Sequence, residues 1–150
     1  MSDLLTRLRA RGWHLTAQRR AVAEVLHGEH LHLTADEIHE RAVGVLPEIS
    51  RATVYNTLRE LVEMGEVLEL SADGKARRFD PNVTETHQHL VCRGCGALFD
   101  VPSPDVSELA PPRAHRHGFT IDAVEIVYRG LCPSCQAEPV RPPDGRRPAG

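Results

Sequence analysis

Apolar residues recur at helical spacing in three stretches of the first half of the chain. Ala21, Val22, Val25 and Leu26 fall on one face of a helix that Thr16 caps and Gly28 ends. Thr34 opens "TADE", where Glu37 stands three residues after a capping hydroxyl. That capping box predicts a second helix running to about Gly44, with Pro47 as punctuation beyond it. Ser50 starts "SRATVYNTLRELVEMG", in which Val54, Leu58, Leu61 and Val62 make an apolar stripe and Gly65 is the stop signal. The pattern then changes to strict alternation. "EVLEL" reads as a strand, Asp73-Gly74 as a tight turn and "KARRF" as the returning strand. Three helices followed by a hairpin predict a winged helix-turn-helix, with residues 50–64 as the reading helix and 66–79 as the wing.

From residue 85 the composition changes. "LFDV" and "IDAVEIVYRG" read as strands, separated by the proline-rich "PSPDVSELAPPRAH", which leaves room for a short helix around residues 105–110. The ending "EPVRPPDGRRPAG" has the composition of a disordered tail. The expected class is α+β, with one unit over residues 1–80, a second over 85–137 and a tail over 138–150.

Composition narrows the setting. The chain has 150 residues, 41% hydrophobic and 26% charged, enough for a real core in one domain or two small ones. Its formal net charge of −3 means that any nucleic-acid contact must come from a local basic patch. No apolar run approaches the roughly 18 residues that a spanning helix needs. The opening "MSDLLTRLRARG" lacks the uninterrupted apolar segment of a secretory leader, so a cytoplasmic, reducing setting is expected. In that setting paired cysteines point to metal or redox chemistry before structural disulfides.

Three groups of residues carry candidate chemistry. Arg51, Thr53, Tyr55, Asn56 and Arg59 on the third helix bear groups that bond bases or phosphates, and Lys75, Arg77 and Arg78 form a basic cluster on the wing. The competing reading is a helical domain with a solvated basic hairpin, since helix-turn-helix geometry is not unique to DNA readers. The second group is Cys92, Cys95, Cys132 and Cys135, two Cys-x-x-Cys pairs that use every cysteine in the chain. Four soft thiolates suit a closed, tetrahedral structural zinc site. Reactive dithiols or unrelated thiols are the alternatives, and a single redox pair would not need the second. The third group lies in "THQHLVCRGCGALFD". His87 and His89 are two apart, so a strand points both to one face, and Asp80 and Asp100 supply oxygen donors nearby. Imidazole and carboxylate suit Fe(II), Mn(II) or Zn(II). Surface histidines with no ligand role are the alternative.

The assembled pieces "LTAQRRAVAEVL", "HLTADEIHERA", "ISRATVYNTLRELVEMGEV", "RRFDPN", "HQHLVCRGCG" and "EIVYRGLCPSC" resemble the ferric uptake regulator superfamily over about residues 4 to 136. Within it they are most similar to the peroxide-sensing repressors and the actinobacterial catalase repressors. The resemblance implies an N-terminal winged-helix DNA-binding domain, a small C-terminal α/β dimerisation domain and a homodimer on double-stranded, inverted-repeat operator DNA. It also implies a regulatory Fe(II) or Mn(II) held by His32, Asp80, His87, His89 and Asp100, separate from the structural zinc. The spacing from Asp80 to His87 is one residue longer than in a peroxide sensor of the family aligned with it.

Asp at position 100, where iron-uptake regulators tend to carry Glu, implies the peroxide-sensing branch, with His32 or His87 as the oxidation-sensitive ligand. Such a protein is not an enzyme. Peroxide is its signal, no other small-molecule substrate is expected, and catalase or other antioxidant genes are the expected targets. An iron- or zinc-responsive uptake regulator is the alternative within the family, and a thiol-disulfide redox protein the alternative outside it. Members with a further site use a histidine shortly before the last cysteine pair, and "GFTIDAVEIVYRGLC" has none. No third site is expected, and His14, His27, His30, His39, His115 and His117 are assigned no role.

Overall fold

The computed structural model describes residues 3–27, 31–71, 76–105, 107, 109–122 and 124–137. The chain divides into two compact units, Met1–Thr86 and His87–Gly150.

The first unit contains α1 (Leu4–Ala10), α2 (Ala17–Val25), β1 (Leu33–Thr34), α3 (Ala35–Val45), α4 (Arg51–Glu63), β2 (Leu68–Leu70) and β3 (Arg78–Asp80). The expected caps are present. Thr16 accepts from the Arg19 amide, and Ser50 accepts from that of Thr53. At α3 both halves of the capping box form: Thr34 Oγ1 accepts from the Glu37 amide and Glu37 Oε2 accepts from that of Thr34. Gly65, at φ 71°, closes α4 as a Schellman turn, with its amide on the Val62 carbonyl and that of Glu66 on the Leu61 carbonyl. Gly12 ends α1 in the same way, through amides reaching Arg9 and Leu8. α3 and α4, joined by a short turn and followed by the β2–β3 hairpin, make the winged helix-turn-helix.

The inward stripes supply one core. Val22, Leu26, Ile38, Val54, Leu58, Leu61 and Val67 are fully buried, with Leu8 of α1 among them, while Val25 and Val62 pack at its edge. Two elements go beyond the sequence reading. α1 adds Leu4 and Leu8 to the core, and β1 joins the hairpin to give a sheet ordered β1-β3-β2. Glu66, buried at the start of the wing, sits 2.6 Å from both Arg7 and Arg11, so α1 is tied to the hairpin by charge as well as by apolar contact. The expected helix stop at Gly28 and the turn at Asp73-Gly74 lie outside the described residues.

The second unit is a sheet ordered β5-β4-β6, built from β4 (His87–Cys92), β5 (Leu98–Pro102) and β6 (Val127–Gly130), with a 3₁₀ turn at Arg113–His115 and the short helix α5 (Pro133–Ala137). β4 runs antiparallel to β5 and parallel to β6. β6 is shorter than "IDAVEIVYRG" predicted: the Ile126 amide goes to the Gln88 side chain at 2.7 Å, so the ladder starts only at Val127. The expected helix around 105–110 falls partly on Val106 and Glu108, and the expected tail wholly on 138–150, outside the described residues. The two units together make an α+β chain.

Candidate metal centres and nucleic-acid surface

Parallel pairing explains how distant cysteines meet. Cys92 is opposite Gly130, so β4 and β6 finish at the same edge and release both Cys-x-x-Cys turns there. The amide of Arg93 donates to the Gly130 carbonyl and that of Gly96 to the Cys92 carbonyl, each at 2.8 Å, which folds the first turn back on itself. Gly94 is required there by space: a Cβ would meet Cys135 Sγ at 2.9 Å. All four thiols are free, and their sulfurs lie within 4.8 Å of one another. Cys95 and Cys132 are 3.8 Å apart at sulfur. A tetrahedron with metal–sulfur bonds of about 2.3 Å has edges of about 3.8 Å, so the cluster has the size of a zinc tetrathiolate.

The electrostatics agree with that fit. The Cys92 thiol is pushed down to about 6, first by the amide of Cys132, which donates to its sulfur at 3.2 Å, and then by that of Cys95. Cys135 is pushed up to about 12, chiefly because it hydrogen-bonds Cys132 and Cys92 as a thiol. Neighbouring thiols that share protons cannot all ionise unaided, and a divalent cation supplies the missing compensation.

Each unit gathers nitrogen and oxygen donors of its own. In the first, His32 precedes β1 and Asp80 ends β3, both buried, with Nε2 3.4 Å from Oδ2. Asp80 Oδ1 accepts from the Asn82 amide at 2.8 Å, which fixes the carboxylate by an Asx turn. In the second, His87 and His89 share one face of β4, and Asp100 is directly opposite His89 on β5. Each Nε2 lies 3.6 Å from Asp100 Oδ1, and the two rings meet edge to face at 4.8 Å. Neighbouring ligands around a centre with bonds of about 2.1 Å stand roughly 3.0 to 3.4 Å apart, depending on geometry. Both groups therefore have donor spacings close to those of a bound ion, with harder ligands than the thiolates. Gln88 steadies β4 from the opposite face, donating to Ser103 Oγ at 3.0 Å and accepting from the Ile126 amide.

α4, the expected reading helix, carries its candidate groups as follows. Tyr55 is 49% exposed, and Arg51, Asn56 and Arg59 are exposed beside it, while Thr53 is half-buried and bonded to Ser50 Oγ. Arg51 pairs with Asp36 at the start of α3, and Arg77 with Glu69 across the wing at 2.9 Å. Lys75 lies outside the described residues. Arg78 is placed differently: half-buried, it donates from Nη1 to the His32 carbonyl at 2.9 Å. Sequence reasoning also missed Asn82, Gln88, Gly94 and the acidic partners of the arginines. Of these only Asn82 had a readable signal, the Asx pattern of Asp80-Pro81-Asn82. Of the histidines assigned no role, His39 bonds the Ile49 carbonyl at 3.1 Å and so ties α3 to the turn before α4. His14, His27, His115 and His117 are exposed, and His30 lies outside the described residues.

Comparison with known proteins places this geometry. The chain is 36% identical over 136 residues to the peroxide-responsive repressor PerR of Staphylococcus saprophyticus, covering 91% of each. Among solved structures it is similar to the Campylobacter jejuni peroxide stress regulator, with 28% identity, a TM-score of 0.65, and 89% of this chain and 100% of that one covered. The Helicobacter pylori ferric uptake regulator shares the fold at a TM-score of 0.71, with 22% identity and 89% of each chain covered. Residues 10–129 match the model of the ferric uptake regulator family, and the chain belongs to that family.

Proposed function

We propose that this protein is a metal-dependent transcriptional repressor that binds inverted-repeat operator DNA as a homodimer and is released by peroxide. The observation that carries the reading is the separation of two donor chemistries within one small sheet. A closed tetrathiolate cluster stands apart from His87, His89 and Asp100, whose three donors leave a coordination sphere incomplete. His32 and Asp80 of the winged-helix unit are the matching pair of donors. In this reading the thiolates hold Zn(II), and the five nitrogen and oxygen ligands hold Fe(II) or Mn(II). Ligands drawn from both units fix the orientation of one unit to the other, and so the spacing of two reading helices in a dimer.

The dimer has a surface to use. Phe99, Leu90 and Tyr128 are cross-strand neighbours on the sheet face opposite the imidazoles, and all three are exposed, Phe99 by 54%. An apolar row of that kind on a small sheet is suited to a second copy. Arg51, Thr53, Tyr55, Asn56, Arg59 and Arg77 face the operator. Arg51→Ala should weaken operator binding, lower the slope of log affinity against log salt by about one if it meets a phosphate, and leave metal content unchanged. Unaltered affinity and slope in a salt titration would remove α4 as the reading helix.

Fe(II) held by these ligands would supply the electron that cleaves peroxide. His32 and His87, as buried or half-buried imidazoles beside carboxylates, would be the groups that take up oxygen and lose ligand strength. The test compares Fe(II)- and Mn(II)-loaded protein on operator DNA before and after peroxide. The Fe(II) form should release DNA and gain 16 Da (about one oxygen) on a peptide containing His32 or His87, and the Mn(II) form should do neither. Oxidation confined to the cysteines would establish a thiol mechanism instead. Binding that follows free metal with no oxidation would establish an uptake regulator, the function named for the manganese uptake regulator that the chain also resembles at 27% identity.

A further inference from the structure

Arg78 has the residue type and position of a wing contact to DNA, yet its side chain is turned inward. It lies at the centre of the sheet on β3, opposite Thr34 on one side and Leu70 on the other. Its side chain is 28% exposed, against 66% for the neighbouring Arg77. Nη1 donates to the His32 carbonyl at 2.9 Å and stands 3.8 Å from Glu37 Oε2. That same Oε2 accepts from the Thr34 amide at 2.7 Å in the capping box of α3. One guanidinium thus spans the residue before β1 and the first turn of α3.

A cation at this place has an electrostatic cost. The N-terminal end of a helix carries partial positive charge and disfavours a nearby arginine. Here the His32 carbonyl and the Glu37 carboxylate absorb that repulsion, both of them facing Nη1 at the far end of a side chain longer than that of lysine. His32 stands directly before a strand of two residues.

We propose that Arg78 is a positioning residue for His32, holding its main chain so that the imidazole stays aimed at Asp80, and that it does not contact DNA. The inference rests on the reading of His32 and Asp80 as ligands of the regulatory metal. Arg78 links that half-site to the start of α3, whose Asp36 pairs with Arg51 on α4. Groups that orient metal ligands typically change metal affinity about 10- to 100-fold when removed.

The experiment titrates zinc-loaded protein with Mn(II) by calorimetry, and measures operator affinity against salt at saturating Mn(II). Arg78→Ala should weaken Mn(II) binding about tenfold or more, with zinc content unchanged. Once Mn(II) is saturating, operator affinity and salt slope should match the unsubstituted protein. Arg78→Lys, which keeps the charge and serves if the alanine variant fails to fold, should show most of the same Mn(II) defect. Unchanged Mn(II) affinity in the lysine variant, or a salt slope reduced by about one at saturating Mn(II) in the alanine variant, would overturn the proposal and restore Arg78 as a phosphate contact. Failure of the underlying reading looks different: the unsubstituted protein would bind no Mn(II), or His87→Ala would bind it as well as the unsubstituted protein does.

Discussion

Cys132→Ser should lose its zinc, its dimer and the cooperative unfolding of the second unit together. The reason is the scarcity of any other support there. Val91 and Cys92 are the buried apolar residues of that unit among the described ones, and its other buried strand residues, Gln88 and His89, are polar. A sheet with so little apolar burial takes its stability from a cross-link, and structural zinc in small domains contributes about 10–16 kcal/mol at neutral pH. Removing one of four thiolates forfeits a large part of that, against a total stability of only about 5–15 kcal/mol for a typical domain. Metal analysis and sedimentation check the result. A Cys132→Ser protein that keeps one zinc per chain and remains a dimer would defeat the structural assignment.

The second large effect is expected from His87→Ala. The substitution removes one imidazole from the face it shares with His89 and Asp100 and touches none of the thiolates. Zinc content and dimerisation should survive, while Mn(II)-dependent operator binding should fall by something on the order of 10- to 100-fold, the usual range of coupling between two sites. The remaining affinity should be insensitive to added Mn(II). A gel-shift titration with and without the ion measures both quantities. Retention of the full Mn(II) effect would show that His87 is not a ligand of the regulatory ion, whatever its place on β4.

What could be read from the sequence depended on whether the signal was local. Thr34 and Glu37 announce their helix because both partners of the capping box lie within one turn, and Gly65 announces its end because only a left-handed residue closes that Schellman turn. The cysteines were legible for a chemical reason, since two Cys-x-x-Cys pairs together supply the four soft ligands of a zinc site. β1 was not legible, because two residues carry no period and become a strand only when Phe79 and Arg78 arrive beside them. α1 is hard to read because its seven residues make only about two turns, too few for a helical period to stand out. Arg78 shows the limit most clearly. Its identity and neighbours are those of Arg77, and only the pleat of β3, with the sheet partner it meets, turns one outward and the other in.

The same distinction holds in the candidate site. His87, His89 and Asp100 were visible because a strand period of two and a nearby acid sit in one short segment. His32 entered only through family resemblance, since a lone histidine before a helix cap has no pattern of its own. Gly94 had no signal at all, because the reason for its lack of a side chain is the sulfur of Cys135, far along the chain.

The parallel pairing of β4 with β6 also sets a clock. Cys92 and Cys132 are 40 residues apart, with the proline-rich segment and the 3₁₀ turn between them. Non-local, parallel contacts of this kind are the slow ones to form, because the loop must close before any of them repays its loss of freedom. With zinc as the cross-link, the sulfurs of the first turn, three residues apart, would capture the ion early and the second pair would then diffuse to it. In the reverse direction the sheet would open fully only as sulfur–metal bonds break. Its lifetime, and with it its resistance to proteolysis, would then follow the residence time of zinc more than the depth of its apolar core.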